Sequence, residues 1–366
     1  SEINTSHADT DSNAKENDIR ENAKPLKLPK CGGFFDFAEN SLPVQDTKNL
    51  LILTLSTISN PNQLSLIEGR MTLSDTQKDI PYYYQLEPVP CKLIHDFSKS
   101  GGKEKLDGIL MICSPQTLEE RVVKEDPRYG YFSDTAEHYF IYTTSKYAEE
   151  KNYSPSYKAI STNIGSSASD PKQRALDTLK FVHDVIENIR NLKNHYPNMK
   201  IHVDTHGGFR TDQEILNSIL SLLQMENIPI DPENIHSVEF QTIKEGEKKI
   251  NKALFTSAAE IFNIMNFVSG IHECINYGQT KSLNLSLNKG STKLEEDILK
   301  HMQTIAEGIQ LCDVKKFEIG LSSLSASLDM LKSTTEAKSS LSYLALFQSL
   351  IRESYGEKLL DNEHRR

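Results

Sequence analysis

The segment Lys200-Ile-His-Val-Asp-Thr-His-Gly-Gly-Phe-Arg-Thr-Asp-Gln-Glu-Ile215 constrains the fold more than any other part of the chain. Ile201, Val203 and Thr205 alternate with His202, Asp204 and His206, the period of a strand inside a sheet. Gly207-Gly208 ends it, because glycine takes positive φ freely and lets a backbone approach a ligand closely. Thr211 and Glu214 have the spacing of a capping box, and Ile215, Leu216, Ile219, Leu220 and Leu223 continue as one apolar helical face. A strand, a glycine turn and a helix start together present free N–H groups and a positive dipole end, which suits an anion such as phosphate. Arg210 beside the turn can add a charge-assisted hydrogen bond.

Other segments fit the same architecture. Asn49–Leu55 and Leu106–Ile112 are continuous apolar runs of strand length, as expected for strands buried on both faces of a parallel sheet. Tyr82–Tyr84 and Cys91–Ile94 read as two further short strands, and residues 125–168 as an irregular insertion. Asp170-Pro171 opens a helix whose stripe is Leu176, Leu179, Val182, Ile186 and Ile189, and Ile235–Phe240 reads as another strand. Strands alternating with helices predict an α/β, Rossmann-like domain with a largely parallel sheet. In such sheets ligands bind outside the carboxyl ends of the strands. Three polar loops lie at those ends: Ser56–Asn60, Ser114–Thr117 and Thr205–Thr211. They predict one shared site containing Ser56, Thr57, Ser59, Asn60, Ser114, Gln116, Thr117, Thr205, His206, Gly207, Gly208, Phe209, Arg210 and Thr211.

Three regions follow: a polar extension over 1–45, the sheet domain over 46–248, and an all-helical module over 249–366. The first 25 or so residues are expected to form a flexible arm, with Gly32–Phe37 docking on the body. In the last region Ala258, Ile261, Phe262, Met265, Val268, His272 and Ile275 form a stripe that stops near Tyr277-Gly278. Helices over 294–311, 317–331 and 341–355 complete it.

A net charge of −10 disfavours long nucleic acid as a general partner, so a nucleotide must meet a local positive patch or helix ends. The five cysteines are dispersed without a CxxC pair, which predicts a reducing cytoplasm rather than a disulfide framework or zinc ribbon. No apolar run approaches the roughly 20 residues of a membrane span, and the polar N-terminal stretch has no signal-peptide core. A cytoplasmic protein without membrane partners is expected. No G-x-G-x-x-G follows the first strand, so a dinucleotide enzyme is disfavoured and no cofactor is expected. His202, Asp204 and His206 share a strand face, as a metal triad would, but nothing else supplies a surrounding shell, and no metal is predicted.

Asp204-Thr-His-Gly-Gly-Phe-Arg210 resembles the Asp-x-Thr-His-Gly-Phe-Arg signature of CARF domains, the CRISPR-associated Rossmann-fold sensors of type III CRISPR defence. Cys113-Ser-Pro-Gln-Thr117 is similar to their Cys/Thr-Pro-x-Thr loop, and the helix ending Ile275-Asn-Tyr-Gly-Gln279 resembles the segment joining their sensor to a helical HEPN ribonuclease. The resemblance covers roughly residues 48–355. It implies a homodimer that binds a cyclic oligoadenylate, tetra- or hexa-adenylate, and thereby controls an antiviral effector, most often one that cleaves RNA. It places Thr205–Thr211 on the ribose-phosphate ring, with Ser56–Asn60 and Ser114–Thr117 completing the cup. Two alternatives stand beside it: a ring nuclease using His206 as acid/base, and a sensor coupled to a non-nuclease effector.

The sequence departs from the family in its additional glycine and in its HEPN pattern of Arg, four to six residues, then His. Arg352 and His364 are too far apart for that pattern, and Arg190-Asn-Leu-Lys-Asn-His195 fits it only at the end of a sensor-domain helix. Whether the chain is itself an enzyme is therefore open, with no catalytic residue assigned unless His206 cleaves the ring.

Overall fold

Every residue of strand β1 (Asn49–Thr54) is buried, and that strand organises the sheet. It pairs in parallel with β4 (Gly108–Cys113) on one side and β8 (Lys200–Asp204) on the other. Leu51 and Leu53 belong to a core that includes Val89, Leu93, Tyr139 and Phe140, while Leu50 and Ile52 point the other way. Both faces are covered, which explains the uninterrupted apolar runs. Each leucine so buried contributes roughly 1.5–3 kcal/mol.

The computed structural model describes residues 19, 22–29, 33–38, 41–58, 63–73, 78–101, 103–162, 170–208, 210–228, 230–245, 248–283 and 293–333. Two compact units make up the chain, Ser1–Ala258 and Ala259–Arg366. The first holds an eight-stranded sheet, adding β2 (Gly69–Met71), β3 (Ile80–Tyr82), β7 (Ser156–Ser161), β9 (Ile235–Glu245) and β10 (Lys248–Ser257) in the order β3-β2-β10-β9-β8-β1-β4-β7. Within this sheet, among the described residues, only β9–β10 and β2–β3 pair antiparallel; the remaining pairs are parallel. This is the expected Rossmann-like α/β arrangement, followed by helices.

Helices α1 (Pro88–Ser98) and α3 (Ala136–Glu149) pack together on the β1 face that carries Leu51 and Leu53, and α4 (Pro171–His195) packs on α5 (Arg210–Met225). The short α2 (Pro115–Glu119) follows β4. Cys91–Ile94 is thus helical, not a strand. Pro88 and Pro90 sit in the first turn, where proline costs no hydrogen bond, and Cys91, Leu93 and Ile94 belong to the buried face of the helix while Lys92 lies outside it. Strand β3 reaches Tyr82 but not Tyr83 or Tyr84.

The expected irregular insertion is largely regular. A hairpin of β5 (Val122–Asp126) and β6 (Gly130–Asp134) turns through Gly130 at φ +84°, Thr135 caps α3 by accepting the His138 N–H, and β7 closes the sheet edge. Asp170 caps α4 as predicted, by accepting the Lys172 N–H. The stripe of α4 differs: Phe181, Val185, Ile186, Ile189 and Leu192 are buried, while Leu176 and Leu179 are exposed because the first turns lie outside the core. The lead-in docks as expected. Phe34 stacks on Tyr196 at 4.8 Å and fills the space beside Gly108, where a Cβ would lie 2.3 Å from the ring.

The sequence suggests helices from about 250, but β10 continues the sheet to Ser257, with Ile250 and Ala253 buried and the residues between and after them more open. The second unit has α6 (Ala259–Tyr277), α7 (Lys293–Gln310) and α8 (Val314–Ser333) around Phe267, Ile271, Cys274, Ile298, Met302, Ile305 and Leu324. Gly278 ends α6 at φ +63°, with its N–H on the Cys274 carbonyl and that of Gln279 on Glu273. Ile261, Met265 and Val268 of the expected stripe are exposed, since a neighbouring face of α6 supplies the core. The predicted helix at 341–355, and Arg352 and His364, lie outside the described residues. No described helix is long and apolar enough to cross a membrane.

Candidate functional site

Because β1 pairs with both β8 and β4, the carboxyl ends of all three strands are neighbours: Leu53 lies opposite Asp204, and Thr54 opposite Ile112. The loops after these strands therefore leave one edge of the sheet. β9 joins them, its His236 carbonyl accepting both the N–H and the hydroxyl of Thr205 at 3.0 Å.

The glycine turn is clamped from several sides. Asp204 Oδ1 accepts the His206 N–H at 2.8 Å. Gly207 has φ +130° and Gly208 φ +72°; a Cβ on the first would meet Leu86 at 2.3 Å, and on the second Thr54 Oγ1 at 2.5 Å. Only glycine fits both the torsions and the space. Thr54 Oγ1 donates to the Gly207 carbonyl at 2.8 Å, and Gln213 Nε2 donates to Thr54 Oγ1 at 2.6 Å and also to that carbonyl. The Gly208 N–H goes to Ser56 Oγ at 2.7 Å, and the Ser56 carbonyl accepts the Tyr84 hydroxyl. One N–H that the sequence suggested for an anion is thus spent on Ser56, which converts the turn into a rigid brace.

Helix α5 already includes Arg210, so Thr211 sits in its first turn and not at the N-cap. Glu214 faces Arg210 at 3.8 Å instead of closing a capping box. Asp212 is buried in that first turn, where a carboxylate suits the positive end of the helix. The Arg210 side chain is 94% exposed, leaving a guanidinium open to solvent beside the turn.

Burial sets the electrostatics beneath the turn. Asp204 is pushed up to about 8 by desolvation, opposed by its hydrogen bond from the His206 N–H. His206 is lowered by burial; its Nε2 is buried without a partner among the described residues, and its ring meets Phe240 edge-on at 4.6 Å. His202 is lowered to about 3 and His236 to about 4, in each case chiefly by desolvation. They face each other at 3.2 Å, and His202 also reaches Asn49 at 3.3 Å. No group of three or more His, Cys, Asp or Glu that could hold a metal occurs among the described residues.

The loop after β4 is partly closed. Ser114 caps α2, and Thr117, which has no exposed surface, donates its hydroxyl to the Ser114 carbonyl at 2.8 Å. Gln116 is exposed and Thr57 half-buried. Ser59, Asn60 and Phe209 lie outside the described residues. Sequence reasoning missed Thr54, Tyr84, Gln213 and Phe240. The proximity of Gln213 to the two glycines was a local signal, whereas Tyr84 and Phe240 arrive from distant segments.

The Arg190/His195 pair is structural. Arg190 binds Glu226 and Glu187, and His195 stacks on Phe37 at 4.3 Å and meets Ser41 Oγ at 3.0 Å. Residues 259–333 contain no arginine at all, so the Arg…His pattern does not occur there.

No protein-family model matches the chain, and no curated protein does. Among solved structures it is similar to Csm6 of Enterococcus italicus bound to cyclic hexa-2'-fluoro-hexa-dAMP, at 9% identity and a TM-score of 0.35, over 85% of this chain and 71% of that one.

Proposed function

We propose that this protein is a CARF-type sensor that binds a cyclic oligoadenylate, tetra- or hexa-adenylate, at the carboxyl edge shared by β1, β4 and β8. The observation that carries the reading is the braced Gly207-Gly208 turn, with Arg210 exposed beside it at the start of α5. A turn fixed before the ligand arrives loses little conformational entropy on binding, and a solvent-exposed guanidinium, held only by a loose surface pair with Glu214, matches a phosphate. The signature Asp204–Arg210 supports the same ligand class. Thr57, Gln116, Gly207, Gly208, Arg210 and Thr211 are the proposed contacts, while Ser56, Ser114, Thr117 and Thr205 shape the loops. A ring with several equivalent phosphates suits two copies related by a two-fold axis, so we place the ligand on a homodimer in the cytoplasm.

The output belongs to the helical region. RNA cleavage is the commonest output in the family that the signature resembles, but the arginine-free stretch 259–333 gives it no support, and control of another effector fits equally. Ring cleavage by His206 is disfavoured, since its Nε2 is shut inside the protein.

The test is equilibrium binding of labelled cyclic tetra- and hexa-adenylate to the wild type and to Arg210→Ala. Loss of one charge-assisted contact should weaken binding by about tenfold or more, with an unchanged melting temperature. Unaltered affinity in the variant would remove Arg210 from the site, and no binding of either ring by the wild type would end the sensor reading.

A further inference from the structure

Strand β9 outruns its neighbour. It pairs with β8 only through Ile235 and His236, and from Ser237 it continues past the carboxyl edge, carrying β10, β2 and β3 with it. Asn251, opposite Thr242, is six residues beyond the level of Asp204, about 20 Å at 3.3 Å per residue. A wall of strands therefore stands beside the glycine turn.

In that wall is a pocket of about 130 Å³, whose lining includes Thr57, Tyr82, Tyr83, Gln85, Phe240 and Asn251. It adjoins the turn directly. Thr57 follows Ser56, the acceptor for Gly208; Tyr84 binds the Ser56 carbonyl; and Phe240 packs on His206. Among the described residues no Asp, Glu, Lys or Arg lines it, so it does not suit a phosphate. It offers aromatic rings and two carboxamides. Asn251 Oδ1 accepts the Thr242 hydroxyl at 3.2 Å, which orients that amide, and Gln85 is exposed at the rim. Arg128 lies over the Tyr83 ring at 4.9 Å and holds it. The tyrosine wall requires Gly69, where a Cβ would lie 2.1 Å from the Tyr82 ring.

We infer that this pocket receives one purine base of the bound ring, with Gln85 and Asn251 reading its amino and ring-nitrogen edge. Aromatic faces take any base, whereas a carboxamide pairs in bidentate fashion with the adenine edge and so discriminates. Phosphate at the turn and base in the wall divide the recognition between one charged and one neutral subsite. This inference rests on the sensor reading above.

The experiment compares cyclic tetra- and hexa-adenylate with uridine rings of the same sizes, on the wild type, Gln85→Ala and Asn251→Ala. The wild type should prefer adenylate rings. Each substitution should weaken adenylate binding by about tenfold and leave uridylate binding unchanged. Gln85→Ala is decisive, because Gln85 is an exposed turn residue whose truncation should leave the fold intact, as circular dichroism would verify. If the wild type binds adenylate rings and Gln85→Ala binds them equally well, or loses both ring types in parallel, the base subsite is refuted and the sensor reading stands. If the wild type binds no ring, both fall.

Discussion

The hydroxyl of Ser56 accepts the backbone N–H of Gly208 at 2.7 Å, joining loops 152 residues apart in the chain. That bond makes the end of β1 and the turn after β8 one structure, so disturbance at either strand end should reach the proposed ligand contacts.

Gly208→Ala is the sharpest perturbation of this brace. At φ +72° an alanine is strained, and its Cβ would lie 2.5 Å from Thr54 Oγ1. We expect a loss of about 1–3 kcal/mol in urea unfolding together with loss of ring binding. A variant as stable as the wild type would mean the turn is not held as described.

Arg128 joins two buried carboxylates, donating to Glu87 at 2.8 and 3.0 Å and to Asp126 at 2.8 Å. Glu87 is nevertheless raised, because desolvation outweighs the guanidinium's pull. Arg128→Ala would leave two uncompensated buried acids and should cost about 3–5 kcal/mol, read from the denaturation midpoint. Arg128→Lys should recover little of it, since an ammonium lacks the planar fork.

Asp204 gives a signed pH effect. Its carboxyl titrates near 8 in the fold against 3.8 when free, so between those values the folded state holds a proton that the unfolded chain releases. Its contribution is complete below the lower value and declines by about 1.4 kcal/mol per pH unit up to about pH 8. Asp204→Asn keeps the acceptor for the His206 N–H and removes the titration. Unfolding curves at pH 6 and pH 8 should show a steeper decline for the wild type than for the variant; equal slopes would place the carboxyl in its ordinary range.

His202 and His236 act in the opposite sense. Both are depressed by burial, so the unfolded chain takes up protons below 6.5 that the fold refuses, and stability falls as the pH drops through 6.5 towards 4 and 3. NMR titration should find both rings still neutral at pH 5. Midpoints near 6.5 would contradict the buried pair.

Much of this fold was legible because β1 and β4 are short apolar runs and β8 an alternating strand, all ending in polar loops, and because Asp170-Pro171 and Gly278 mark helix ends by their own chemistry. Helix α3 was hidden because its buried face includes Thr143, Thr144 and Ser145, with Thr144 satisfying its hydroxyl on the Phe140 carbonyl, so its apolar period is broken. The hairpin before it buries Lys124, Asp126 and Asp134, which read as surface residues. At the site, the glycine turn and Arg210 could be read locally. The Tyr84–Ser56 and Phe240–His206 contacts could not, since each depends on strand order.

Calorimetric titration of the purified protein with cyclic tetra- and hexa-adenylate, with the ligand recovered and chromatographed, tests the central claim most directly. Saturable binding of one ring per two chains, with the ring returned intact, is the predicted result. No binding heat with either ring would contradict it, and a cut ring would overturn the assignment of His206 as a buried, non-catalytic group.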